Sequence, residues 1–468
     1  MHEGNQRFAC WLIGLFLFVV GATVVASDVP SRIPNEIYRL PRVRQPSSTR
    51  VVPTAYQDDV PPIIVQDEDQ YFSDLEPPAD IDWPTPDQVN DQSLVNSDFD
   101  IRNPSLDVGD DFYAPSGDFA NGIVIRGKGV AMKIGGYVKA NLIHDFDPID
   151  SKDQFNTTTI PIGAVPRQNT RFHARQTQLN FDARWDSPRG PVRFYIEGDF
   201  FGPNNSYRLR HAYGEVQKLL VGQTWTTFTS REALPATLDV DGAVSSVNRR
   251  PAQLRWTESI FTEQFTVAVA VENPDILIEV PEGVIVNPVT QTPDFISHLR
   301  WSPEWGQFQV AGVIRELGVQ TGEDPVQTGL GWGANFTGAM LLTPGNKVYY
   351  QILFGDGIGN YRGLPDIAAV SETSLGTLDT FGWMVGWTLS WTDQLTSNFT
   401  YSESRIDNLP GQPDDALKLN TYLAVNLIWN PMDHMFVGVE YLFGTREDKD
   451  LQRGEANRVL MSFGFFLP

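Results

Sequence analysis

Nine arginines crowd the first half of the region that reads as strands: Arg171, Arg175, Arg184, Arg193, Arg208, Arg210, Arg249, Arg250 and Arg255. In the run Tyr207-Arg-Leu-Arg-His-Ala-Tyr213 two of them are spaced i, i+2. On a strand that spacing puts Arg208 and Arg210 on one face and Leu209 on the other. Guanidinium forks held on rigid strands suit carboxylates and phosphates. The plainer reading is internal pairing, because Glu197, Asp199 and Glu215 lie on neighbouring segments.

A second group surrounds these arginines. The stretch 228–249 mixes Leu234, Pro235, Leu238 and Val240 with the acids Glu232, Asp239 and Asp241. A long connection that carries its own apolar residues can fold back and pack on an interior. Asp239 and Asp241 would then face Arg249, Arg250 and Arg255 and set a transverse field across a constriction. The alternative is an external loop with ordinary surface acids. Lys139 joins the arginines from the wetter face of the first strand, next to Lys133, Tyr137 and Asn141.

Catalytic arrangements are not apparent. The five histidines beyond the leader, His144, His173, His211, His298 and His434, sit in no nucleophile elbow and no His-Glu-x-x-His helix. Gly355-Asp-Gly-Ile-Gly lies between strands with no helix to hold a phosphate. Cys10 is the only cysteine and falls in the leader, so no disulfide or thiol chemistry is expected. The expectation is a protein that is not an enzyme and has no cofactor or metal. A net charge of −23 argues against a nucleic-acid partner.

The elements that must position these residues are strands. At 383–391 Trp383, Val385, Trp387, Leu389 and Trp391 alternate with Met384, Gly386, Thr388 and Ser390. At 131–145 Met132, Ile134, Val138, Ala140 and Leu142 alternate with the wetter set just named. Sixteen such segments fill 131–466, the last being Asn457–Phe466. Short turns at 186–190, 303–305, 343–346 and 430–432 alternate with longer connections at 146–169, 228–249, 273–291 and 357–378. Turns short at one end and long at the other are the mark of an up-and-down membrane barrel. A mean hydropathy of −0.24 argues against a bundle of apolar helices. In strand 171–185 the outward Leu179, Phe181 and Trp185 share phase with Arg171, His173 and Arg175, so either its first half stands above the bilayer or, as is expected here, a bulge or bend shifts the register.

The fold class predicted is all-β, a 16-stranded antiparallel transmembrane β-barrel preceded by a disordered acidic, Pro-rich segment. Residues 1–26 read as a signal peptide, with Arg7, the apolar run Phe8–Val20, and Val24 and Ala26 before the cut. Residues 27–115 read as a periplasmic linker, and 116–468 as the barrel. From Val51 to Asp111 sixteen Asp and Glu face one basic residue, Arg102, a net of −15. Such a stretch is expected to stay extended. It reads as a solvated spacer or as a tether to a periplasmic or cell-wall partner.

Several runs resemble the DcaP-like porins. They include Arg171-Phe-His-Ala-Arg-Gln-Thr-Gln-Leu-Asn-Phe-Asp182, Phe194-Tyr-Ile-Glu-Gly-Asp-Phe-Phe-Gly202, Leu220-Val-Gly-Gln-Thr-Trp225 and Arg249-Arg-Pro-Ala-Gln-Leu-Arg-Trp-Thr257. The resemblance covers roughly 130–466 and is strongest in its first third. It implies a trimeric, sixteen-stranded porin in outer-membrane lipid, whose arginine-rich constriction favours small organic anions. Two departures stand out. An acidic, proline-rich stretch occupies the place where this family often has a coiled coil. The chain also ends Phe465-Phe466-Leu467-Pro468, where barrels usually end on an aromatic.

The function expected is passive diffusion of small anionic, hydrophilic solutes past Arg175, Arg193, Arg208, Arg210, Arg249, Arg250, Arg255 and Lys139. Glu232, Asp239 and Asp241 are expected on the constriction loop. The alternative is a non-conducting structural or adhesive barrel that presents its long loops.

Overall fold

The computed structural model describes residues 50–52, 123–127, 130–371 and 374–467. The first elements are β1 (Arg50–Val52), β2 (Ile123–Gly127), β3 (Val130–Asp145), β4 (Asn169–His173), β5 (Gln178–Ser187) and β6 (Gly190–Asp199). Next come β7 (Arg208–Val216), β8 (Leu219–Gln223), β9 (Ala252–Ser259), β10 (Phe265–Glu272), β11 (Ile278–Val280) and β12 (Asn287–Val289). They are followed by β13 (Asp294–Trp301), β14 (Gly306–Gln320), β15 (Gln327–Thr343), β16 (Asn346–Asp356), β17 (Ile367–Ser371) and β18 (Ser374–Thr377). The last are β19 (Asp379–Thr392), β20 (Leu395–Asp407), β21 (Leu417–Met432), β22 (Met435–Asp448) and β23 (Arg453–Phe466).

Taking β4 and β5 as one interrupted strand, sixteen antiparallel strands close into a barrel among the described residues. They are β3, β4/β5, β6 to β10, β13 to β16 and β19 to β23, and β23 seals against β3 from Arg458 opposite Asp145 to Phe466 opposite Tyr137. The predicted alternation of short turns and long connections is present. The turn expected at 430–432 falls instead at Asp433–His434, and β23 starts at Arg453. Strands in the second half run up to seventeen residues, well past the nine to eleven or so a bilayer needs, so they take over residues expected in loops.

The two faces settle what surrounds the barrel. Val138, Val310 and Phe295 are about half exposed, at 53%, 49% and 54%, whereas Asn335, Glu440 and Ser462 are wholly buried. Oily residues point out and polar ones point in, the reverse of a water-soluble sandwich. Exposed Trp185, Trp256, Trp301, Trp305, Trp391 and Trp429 gather at the short-turn end, where an aromatic girdle meets the membrane interface. Phe466 ends the last strand and packs its ring 5.4 Å from Tyr137 and 5.8 Å from Phe436. The closing strand thus ends on an aromatic residue.

The bulge expected in the second strand is present. Tyr137 pairs with Gln178 and Asn141 with His173, so three residues of β3 oppose four of the neighbouring strand. One extra residue flips the phase, which lets Leu179 face outward while Arg175 turns inward. Gly136 faces this site at φ +136°, and a Cβ there would come 2.2 Å from the Gln178 carbonyl oxygen. The position accepts only glycine.

A smaller sheet of β1, β11, β17 and β18 lies among the long connections after β10 and β16. Of the predicted linker, only Arg50–Val52 is described, and it pairs with β11 on the long-connection side rather than at the short-turn end. The remaining linker and the signal peptide lie outside the described residues.

Candidate functional site

Inside the barrel, residues 224–251 run along the wall instead of projecting outward. Polar side chains from many strands hold this segment by its own backbone. The Glu440 carboxylate accepts the Leu238 and Asp239 N–H groups at 2.8 and 2.7 Å. Lys139 Nζ donates to the Leu238 carbonyl at 2.7 Å, and Asn426 donates to the Ala236 carbonyl at 2.9 Å. On the opposite side Asn335 donates to Phe228, Gln309 to Thr229 and Gln351 to Ser245. Glu272 takes the Thr226 hydroxyl and the Thr227 N–H, both at 2.6 Å. Buried backbone groups need such partners, and the inward strand positions provide them. Leu238 lies over Gly438, where a Cβ would stand 2.7 Å from its methyl. The segment packs this closely because the wall has no side chain at that point.

The expected arginines all belong to the interior, and most of them are paired with acids. Arg193 from β6 forks onto Asp182 at 3.1 and 2.9 Å and lies over the rings of Tyr195 and Tyr213. Arg208 forks onto Asp199 at 2.9 and 2.7 Å. Arg210 bridges Glu197 and Asp199, each at 3.0 Å. A register shift between β6 and β7 leaves Arg210 as an extra residue, so Arg210 and His211 both turn inward while Leu209 faces out. Arg175 pairs with Asp153 at 2.5 Å and donates to the carbonyls of Phe201 and Gly202. Arg255, on β9, faces the same interior within electrostatic reach of Glu215.

Arg250 differs from the rest. Among the described residues it has no carboxylate in salt-bridge contact, its guanidinium lies 3.9 Å over the Trp225 ring, and its buried Nε has no hydrogen-bond partner. Burial first, and then Arg210, hold it well below its ordinary value, at about 9. It is a desolvated cation beside other cations, a place where an arriving anion gains the most.

The acids of the loop do not form the expected opposing row. Asp239 is buried and accepts the N–H groups of Phe155 and Gly242 at 2.9 and 3.0 Å, so it shapes the loop, and the arginine within its electrostatic reach is Arg458, not Arg249, Arg250 or Arg255. Burial and the neighbouring Asp241 push its carboxyl up. Glu232 is buried in a short 3-10 turn, and Lys347 Nζ donates to its carbonyl at 3.2 Å. Asp241 meets Arg362 at 3.4 Å, not Arg249 or Arg250. Lys139, expected at the pore, is covered by Leu238 and holds the loop. Lys139, Asp239 and Asp241 thus spend their polar side chains on contacts that hold or shape the loop, and Glu232 contributes its backbone carbonyl.

Above the loop, Arg249 approaches Asp275 at 3.6 Å and lies 5.1 Å from the Tyr361 ring. Arg362 donates to the Ala243 carbonyl at 2.8 Å and ties this loop to the connection after β16. Arg315, wholly buried, binds Asp294 and Asp366, both at 3.2 Å, and the Asp275 carbonyl at 2.5 Å. Arg249, Asp275 and Arg362, with Asp241, border a polar cavity of about 280 Å³. The sequence reading missed Arg315, Arg362 and Glu440. Their signal was available: Arg315 and Glu440 share phase with inward residues of otherwise oily strands, where a charge must avoid lipid. Arg362 had no such signal, since it lies in a connection.

The model of the DcaP outer membrane protein family matches residues 125–464. No curated protein sequence matches the chain. Among solved structures, the outer membrane channel DcaP of Acinetobacter baumannii is 21% identical, with a TM-score of 0.66 over 72% of this chain and 97% of that one. An anion-selective porin from Comamonas acidovorans is 8% identical, with a TM-score of 0.48 over 72% and 99%. Salmonella typhi OmpF is 10% identical, with a TM-score of 0.49 over 74% and 100%. At these identities the first likeness is one of fold, and the other two are too distant to bear on the site. Matched by the family model over most of its length and folded as a sixteen-stranded barrel with an oily outer face, the chain belongs to the DcaP outer membrane protein family.

Proposed function

We propose that this outer-membrane barrel is a passive diffusion channel for small anionic, hydrophilic solutes. Residues 224–251 narrow the lumen, and Arg250, flanked by Arg208 and Arg210, provides its attracting charge. The reading includes export by a cleaved signal peptide and assembly as a homotrimer. Family and fold are those of a channel rather than an enzyme. The observation that carries the proposal is Arg250, buried against the Trp225 ring beside Arg210, with no carboxylate in salt-bridge contact among the described residues. Placing one more cation beside arginines that are paired with acids tips the local potential positive.

The test is single-channel recording of the purified protein in a planar bilayer under a salt gradient. An anion-selective reversal potential is expected. R250A should lower the anion-over-cation permeability ratio roughly fivefold, the equivalent of about 1 kcal/mol for one charge near the path. Cation selectivity in the parent protein would overturn the solute class, and a folded barrel that never conducts would overturn the channel itself.

A further inference from the structure

Residues 224–251 press almost all of their side chains against the wall or into one another. Arg231 is the exception, and within that stretch it alone is exposed. Its surroundings explain why. The 3-10 turn Arg231–Ala233 is closed by the Leu234 N–H, which donates to the Arg231 carbonyl at 3.1 Å. The turn rests on β15 and β16. Ser230, Glu232 and Ala233 are buried, and Ser230 Oγ donates to Gln307 Oε1 at 3.2 Å. With both flanks fixed, the Arg231 side chain is the one left to the open lumen.

The acid next to it is engaged elsewhere. Glu232 lies within electrostatic reach of Arg300 on β13 and Lys347 on β16. Among the described residues the Arg231 guanidinium has no hydrogen-bond or ion-pair partner. What it does reach is the arginine wall across the lumen, at His211 and Tyr213 on β7. His211 is also within reach of Arg193, Arg210 and Arg250, so four guanidinium groups from four segments converge on one ring. Three of them are held: Arg193 by Asp182, Arg210 by Glu197 and Asp199, and Arg250 over the Trp225 ring. The Trp225 and Tyr195 rings stand 5.8 and 6.2 Å from that of His211, which ties the cluster together. Arg231 is the member that comes from the opposite side.

We infer that Arg231 is a specificity-determining residue, the loop-side charge of the constriction, so that a passing anion meets positive groups on both sides. The inference deepens the channel reading and rests on it. An acid at this position would run the field across the path, the arrangement expected of Asp239 and Asp241. An arginine makes the two sides add, and a cation is repelled from both rather than drawn to one. Because it is exposed, Arg231 is better screened than Arg250 and counts for less.

The experiment uses the full-length protein in a planar bilayer under a salt gradient. R231Q should lower the anion-over-cation permeability ratio about two- to threefold, as one screened charge is lost. R231E changes the charge by two and should lower the ratio by roughly the square of that factor. R231K should keep the parent's ratio. The R231Q difference should shrink between about 0.1 and about 1 M salt, as the screening length falls from about 10 to about 3 Å. A purely structural role would not follow salt in this way. R231C separates charge from folding within one folded channel. A cationic methanethiosulfonate should raise its ratio, and an anionic one should lower it. The parent, whose only cysteine is Cys10, is the control. A parent ratio kept in both R231Q and R231E would overturn the inference, as would a reversal potential in R231C that neither reagent moves. R250A in the same recordings reads the channel proposal separately. If R250A shifts the potential and R231Q does not, the role of Arg231 falls alone, whereas a cation-selective parent would overturn both.

Discussion

From β5 to β9 the inner wall carries arginine–carboxylate pairs on strands of five to ten residues, with a bulge beside Gly136 and a register shift at Arg210. From β13 to β23 it carries mostly Asn, Gln, Ser and Thr on barrel strands of eight to seventeen residues. The second wall spends its polar groups on the backbone of the inward loop, through Gln309, Asn335, Gln351, Ser402, Asn426 and Glu440. The first wall also touches that loop, through His211 at Thr224 and Gln253 at the Thr224 and Trp225 carbonyls, but its arginines pair with acids. One side of the barrel mainly holds the inward loop, and the other carries most of the arginine–carboxylate pairs. Neutral carboxamides suit the first task because each can donate to a carbonyl without bringing a charge to be neutralised. Guanidinium groups suit the second because they stay charged when buried.

The largest effect should follow from breaking the holding side. Replacing Glu440 with Ala removes the acceptor for two buried N–H groups and for Asn426. Leaving buried partners unsatisfied should weaken loop docking by on the order of 3 kcal/mol. Conductance should rise and become noisy in single-channel records, whereas a quiet, unchanged channel would mean that the loop is held by other contacts.

A smaller effect is expected on the charged side. The double variant R208A/R210A bares Asp199 and Glu197, so it removes two cations and exposes two anions. Anion preference should fall further than in R250A, and the reversal potential should move toward cation selectivity. The barrel should still form, because neither arginine belongs to the β23–β3 pairing that closes it, and retention of heat-modifiable mobility on gels would check this. Unchanged selectivity in a folded double variant would remove both arginines from the proposed path.

The smallest effect concerns the latch above the loop. Burial holds the Asp366 carboxyl up at about 6 against the pull of Arg315, compared with an ordinary carboxylate value of roughly 4. Between those values the folded state keeps a proton that the unfolded state releases. Stability from this group is therefore full below about pH 4 and is lost as pH rises through about 6. In detergent, the parent's Tm should fall across that window by on the order of a few degrees more than that of D366N. Parallel curves would show that Asp366 does not titrate in this range.

How much of this could be read in advance depended on distance along the chain. Alternation at 383–391 needs only neighbouring residues, so the membrane-facing phase of β19 was legible. The phase conflict between Arg175 and Leu179 showed the bulge in the same way. The inward path of 228–249 was legible from its apolar content, but the fate of its acids was not. Asp239 is occupied by Phe155, eighty-four positions away, and Glu440 reaches back 202 positions to Leu238. Nothing local in either stretch announces such a contact.

The sequence by itself determined the strand period, the oily outer face, the turn-and-loop rhythm and the inward aim of the arginines, because each follows from local sterics and from the cost of a charge in lipid. Tertiary structure alone decided which arginines are neutralised, which acids shape the loop, and that Arg249 and Asp275 meet across a cavity. Those outcomes depend on where a closed barrel brings distant backbone and side chains within hydrogen-bond range, and three ångströms of separation is not written in any one segment.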